Sequence, residues 1–101
     1  MASRRNLKKI IHIDVEEMLF SLSILHAEAS EERKPALEEL ISKVIDSERD
    51  FIARISHTDG RGERKLVRKY YSKLQEEYVH FANEIDGEID KLADELLTPE
   101  A

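Results

Sequence analysis

Apolar residues recur three and four positions apart through most of this chain, the spacing that gathers them on one face of a helix. Leu37, Leu40, Ile41, Val44, Ile45, Phe51, Ile52 and Ile55 form one such face. Val67, Tyr71, Leu74, Tyr78, Phe81 and Ile85 alternate four and three apart, a heptad-like seam. The next position in that phase is Glu88, so the stripe slips to Ile89, Leu92 and Leu96 beside Gly87. Glycine inside a helix costs about 1 kcal/mol relative to alanine, and a bend or local loosening is expected there.

The first apolar segment differs from these two because it carries a double stripe. Ile11, Val15, Met18, Leu22 and Leu25 lie on one line, and Ile10, Ile13, Phe20 and Ile24 on another. Together they exceed the arc that two neighbouring helices cover. Either this is the most buried helix, or its second stripe meets another chain.

The breakers divide the chain into three helices. Ser3 or Asn6 caps the first, which runs over 4–29. A polar link over 30–34 follows, and Pro35 suits the first turn of a helix over 35–56, where its missing N–H is harmless. The run His57-Thr58-Asp59-Gly60-Arg61-Gly62 is the strongest turn signal, since Asp and Gly accept turn dihedrals that branched residues resist. A third helix spans 63–97 and cannot continue past Pro99. The expected fold is all-α: an antiparallel up-down-up three-helix bundle with a long third helix, one domain over 1–101. At 1.5 Å per residue the third helix is roughly 50 Å long against roughly 35–40 Å for the others. Its last turns are therefore expected to overhang, exposing Ile89, Leu92, Leu96 and Leu97. Burial of that overhang is a second argument for a homodimer.

Composition supports long amphipathic helices: 38% of residues are charged, and only three glycines and two prolines interrupt the chain. With no cysteine, disulfides, thiolate metal sites and cysteine nucleophiles are excluded together. The start has no apolar signal-peptide region, and no apolar run approaches the roughly 18 residues of a membrane span. The expected location is cytoplasmic, with no membrane partner. A net charge of -6 argues against nucleic acid binding over the whole surface.

That charge is strongly segregated. Arg61, Arg64, Lys65, Arg68, Lys69 and Lys73 face one acid, Glu63, whereas residues 76–101 hold nine acids and one base, Lys91. The N-terminus adds Arg4, Arg5, Lys8 and Lys9. If the first and third helices are parallel, these residues share one end of the bundle with Arg54. Cations at helix starts oppose the macrodipole, so an anionic partner could be what retains them. The candidate partner-binding set is Arg4, Arg5, Lys8, Arg54, Arg61, Arg64, Lys65, Arg68 and Lys69. The partner would be nucleic acid, a phosphorylated ligand or the acidic end of another copy. The competing reading is an ordinary solvated surface. A helix-turn-helix fits poorly, because the helices are long and the turn holds about six residues rather than three or four.

Catalytic chemistry finds little support. Glu77 and His80 have the Glu-x-x-His spacing of di-iron bundles, but that site needs two such pairs and two further glutamates. His12 and Glu16 stand four apart, a spacing that any helix produces. The serines lack a Gly-x-Ser-x-Gly elbow, and Gly60-Arg61-Gly62 lacks the phosphate-loop lysine spacing. Paired carboxylates are abundant and read as solvated. Tyr70, Tyr71 and Tyr78 lie amid or beside the basic run and could stack bases, although Tyr71 and Tyr78 fall on the core seam. The expectation is no enzyme, no cofactor, no metal and no small-molecule substrate.

The segments Arg4-Arg5-Asn6-Leu7-Lys8-Lys9, Phe51-Ile52-Ala53-Arg54-Ile55-Ser56-His57-Thr58-Asp59-Gly60 and Lys65-Leu66-Val67-Arg68-Lys69-Tyr70-Tyr71 together resemble a family of small uncharacterised helical proteins from Bacteroidetes. In that family a proline often follows the histidine, where Thr58 stands here. The resemblance implies a bacterial, intracellular, all-helical protein and transfers no catalytic residue. The leading expectation is a self-associating helical interaction module. The alternative is a nucleic-acid- or anion-binding protein that uses the basic end.

Overall fold

The computed structural model describes residues 4–56 and 64–97. They form three helices: α1 (Arg4–Glu28), α2 (Lys34–Ser56) and α3 (Arg64–Leu97). The predicted turn at 57–62, Arg61 within it, and the predicted start of the third helix at Glu63 lie outside the described residues.

Polar pairs across the helix seams establish direction. His12 and His26 of α1 meet Glu48 and Glu38 of α2 at 2.9 and 3.2 Å, so α2 runs antiparallel to α1. Arg54 pairs with Glu77, and Lys43 approaches Glu84 at 3.8 Å, so α3 runs antiparallel to α2. Helices α1 and α3 are therefore parallel, and the Tyr78 hydroxyl of α3 donates to Asp14 Oδ2 of α1 at 3.0 Å. This is the expected up-down-up three-helix bundle.

The core takes one stripe from each helix. Helix α1 contributes Leu7, Ile11, Val15, Met18 and Leu22, and α2 contributes Leu37, Leu40, Val44, Phe51 and Ile55. Helix α3 adds Leu74, Tyr78, Phe81 and Ile85. Full burial of a large aliphatic side chain stabilises by about 1.5–3 kcal/mol, and this layer is the main source of cohesion. Phe51 anchors an aromatic cluster at mid-height, with ring centroids 5.3 Å from Tyr78 and 5.6 Å from Phe81. No charged side chain among the described residues is buried.

The link between α1 and α2 is tight. Ser30 O accepts the amides of Arg33 and Lys34 at 3.0 and 3.1 Å, and Arg33 O accepts the amide of Leu37 at 3.4 Å. Pro35 falls in the first turn of α2, where no internal donor is needed. Buried Ala29 covers the top of the core.

The expected overhang of α3 is corrected. Its 34 residues exceed the 25 of α1, but the surplus is divided between both ends. Because Asp14 stands level with Tyr78, Arg4 stands near Arg68, and the first turn of α3 projects below α1. At the other end the link follows α3 upward, and Arg33 approaches Glu95 at 3.6 Å. Ile89, Leu92 and Leu96 are consequently half-buried against the core, and the side chain of Leu97 lies outside what the structure describes.

Helix α3 continues through Gly87, which faces solvent, and a Cβ there would meet nothing within 4 Å. The glycine therefore weakens α3 without relieving any crowding. Gly87→Ala is expected to stabilise the fold by about 1 kcal/mol, read as a rise of roughly 4–8 °C in thermal midpoint. A lower midpoint would show that the helix uses flexibility at this position.

Candidate functional site

Two surfaces stand out, and they lie on adjoining parts of the molecule. The first is the basic end. Arg4 and Arg5 are exposed in the first turn of α1, with Lys8 half-buried one turn on. Arg64, Lys65, Arg68 and Lys69 are all exposed on the first turns of α3. Parallel α1 and α3 bring these two groups to one end of the bundle, as the charge pattern predicts. Lys65, Arg68, Lys69 and Lys73 line one shallow groove with Ser72 and Glu76. No acid among the described residues falls in the first turn of α1 or α3, and α3 has no base in its last turn. Both placements oppose the helix dipole, by about 0.3–1 kcal/mol per charge at low ionic strength.

Arg54 belongs to a different setting. Its guanidinium pairs with Glu77, lies 3.9 Å from Asp50 and sits 5.6 Å from the centroid of the Phe51 ring. The Glu77 contact holds it above its already high pKa. Arg54 thus ties α2 to α3, apart from the cations at the helix starts. The same pairing engages Glu77, one half of the Glu77–His80 spacing. Among the described residues, no group of three or more His, Asp or Glu side chains could hold a metal ion.

The tyrosines have structural partners that spacing could not supply. Helix α2 ends with carbonyls that lack an intrahelical donor. The Tyr70 hydroxyl donates to Arg54 O at 2.7 Å and the Tyr71 hydroxyl to Ile55 O at 3.3 Å, so α3 caps the end of α2. Burial, and next the bond to Asp14, pushes the Tyr78 phenol well above its ordinary pKa. It stays neutral as a core donor.

The second surface is the other stripe of α1. Ile10, Ile13, Phe20 and Ile24 are 50%, 45%, 69% and 50% exposed. Core burial selected the Leu7–Leu22 line, and no described residue covers this one. Positions 10, 17 and 24, and positions 13, 20 and 27, repeat every seven residues, so the stripe is a straight seam interrupted only by Glu17. A groove between α1 and α3 borders it, lined by Asp14, Glu17, Asp86 and Asp90.

His12 bridges Glu16 of its own helix at 3.0 Å and Glu48 of α2 at 2.9 Å. Hydrogen bonding to Glu48, then the charge of Glu16, raises its pKa above 6.5. In comparisons with known proteins, no family model, no curated protein and no solved structure matches this chain.

Because the folded-state pKa of His12 is raised, its contribution is fully present below about pH 6.5. It is lost as pH rises through the folded-state value. The thermal midpoint of the wild type should exceed that of His12→Gln most at pH 5.5, with the gap shrinking by pH 8.5. A gap independent of pH would show that the bridge carries no net charge interaction.

Proposed function

We propose that the protein is a small helical interaction module that self-associates and has no catalytic role. One observation carries this reading: a bundle with a complete core keeps four large apolar side chains of α1 exposed on a single line. Scattered exposed apolar residues are ordinary, whereas a contiguous patch marks a contact surface. No helix among the described residues is long and apolar enough to cross a membrane. A protein partner is therefore the preferred match for the stripe, and a cytoplasmic setting goes with that reading. The resemblance to helical proteins of Bacteroidetes would place the module in a bacterium without assigning it an activity.

A second reading has its own support. Arg64, Lys65, Arg68 and Lys69 take part in none of the ion pairs seen among the described residues, yet they crowd one helix start at a cost in stability. With Arg4, Arg5 and Lys8 they would suit an anionic polymer such as nucleic acid. That reading requires oligonucleotide binding with a steep salt slope, lost in Arg64→Ala/Arg68→Ala/Lys69→Ala.

Sedimentation or light scattering of the full chain from micromolar to hundreds of micromolar, with and without a labelled oligonucleotide, separates the two. Self-association predicts a species of twice 11.7 kDa. A clean monomer over the whole range refutes it. A gel shift of the oligonucleotide at low salt, without self-association, would favour the second reading.

A further inference from the structure

We infer that the exposed stripe of α1 binds α1 of a second copy, antiparallel, about a twofold axis near Met18 and Leu19. The inference rests on the self-association reading and specifies its surface, register and direction. Three observations carry it.

The first is the size and regularity of the stripe. Ile10, Ile13, Phe20 and Ile24 leave roughly 300–600 Å² of apolar surface in one strip, the range in which a surface patch is commonly functional. Two such strips with their polar borders bury on the order of 1,000 Å², the lower limit for a specific interface. This area predicts a dimer of micromolar rather than nanomolar affinity.

The second is register. A twofold at Glu17 would oppose that carboxylate to its own copy. Moving the axis half a turn along, between Met18 and Leu19, removes the clash. Ile13 then meets Ile24 of the second copy, Ile10 meets Ala27, and the aliphatic stem of Glu17 lies against Phe20 while its carboxylate reaches solvent. Each heptad position is filled, and Glu17 is the only polar side chain in the seam.

The third is charge, which decides direction. In a parallel pair Arg5 and Lys9 would face their own copies, and the acidic second half of α3 would lie beside another acidic half. In the antiparallel pair Lys9 comes level with Glu28 of the second copy, and Arg5 comes near the start of that copy's α1–α2 link, which carries Glu31 and Glu32. The Arg64–Lys73 end of α3 approaches the acidic end of the other bundle. The cations and acids that oppose their own helix dipoles thus come level with opposite charge on the second copy. The groove bearing Asp14, Glu17, Asp86 and Asp90 lies beside the contact and stays open to solvent.

The chain has no cysteine, so one introduced thiol reports geometry cleanly. Ser30 is exposed just beyond α1. A nitroxide on Ser30→Cys in the full-length protein, measured by pulsed dipolar spectroscopy, should give an intermolecular distance of about 35 Å. This corresponds to roughly 23 residues of helix rise between the two copies. A parallel pair would place the labels within about 20 Å and overturn the arrangement. In parallel, Phe20→Glu should weaken dimerisation about 30-fold or more, as expected for a central anchor. Its helicity should be unchanged, because Phe20 is largely exposed and lies outside the core. Ile24→Ser is a milder companion that should weaken the dimer in the same sense. A dimer unaffected by both substitutions refutes the α1 surface while leaving self-association intact. A wild type that stays monomeric refutes both.

Discussion

Helix α1 can bury one stripe, because its two neighbours reach it from one side. This constraint governs the rest of the molecule. Leu7, Ile11, Val15, Met18 and Leu22 occupy the inward arc and are nearly or fully buried, and α2 and α3 are held together largely by packing on that line. Once it is inside, helical geometry forces Ile10, Ile13, Phe20 and Ile24 outward, since neighbouring residues are about 100° apart around the axis. The exposed stripe follows from the core. A third neighbour could cover it, and this chain has no fourth helix among its described residues to serve as one.

The polar contacts at the seams have a different task. Exposed ion pairs contribute about 0–1 kcal/mol each, so His12–Glu48, Lys43–Glu84 and Arg33–Glu95 add little to cohesion beside the apolar layers. Their value is positional. Apolar stripes tolerate sliding by a turn, whereas a bond such as Tyr78 to Asp14 fits one stagger. The Tyr70 and Tyr71 hydroxyls act similarly, because they reach the terminal carbonyls of α2 only at this height. These contacts set how far α3 projects at each end, and hence how far the basic turn stands clear of α1.

The helices were legible because their signals are local. Pro35, the polar residues from Ser30 to Lys34 and the three- and four-residue apolar period act within a turn or two, and the end of α1 and the start of α2 each fall one residue from the expected position. The stagger of α3 was not legible, since it depends on contacts between residues as distant as Arg33 and Glu95. Helix length alone suggested an apolar overhang that the link in fact covers. The double stripe of α1 was legible as a conflict but not in its resolution. Both lines carry isoleucine and larger apolar side chains, and only the positions of α2 and α3 decide which faces inward. Arg54 illustrates the same limit within the candidate site. Its charge and place in the chain match the basic set, but Glu77, more than twenty residues on, engages it.

The segregated charge acquires its meaning from this geometry. Within one chain, parallel α1 and α3 place like charges together at each end, and the helix dipoles add to the strain. Sequence rearrangement could relieve that strain at little cost to the core, because most of the described charged positions are exposed and none is buried. A bundle that keeps it has a dipole along its long axis, with basic turns at one end and acidic turns at the other. Two such rods attract most strongly side by side and reversed, and the exposed line of α1 runs along the rod rather than across it. In the proposed dimer the apolar seam would supply contact area, and the poles would supply direction. Screening by salt should weaken the preference for direction before it weakens the apolar contact itself.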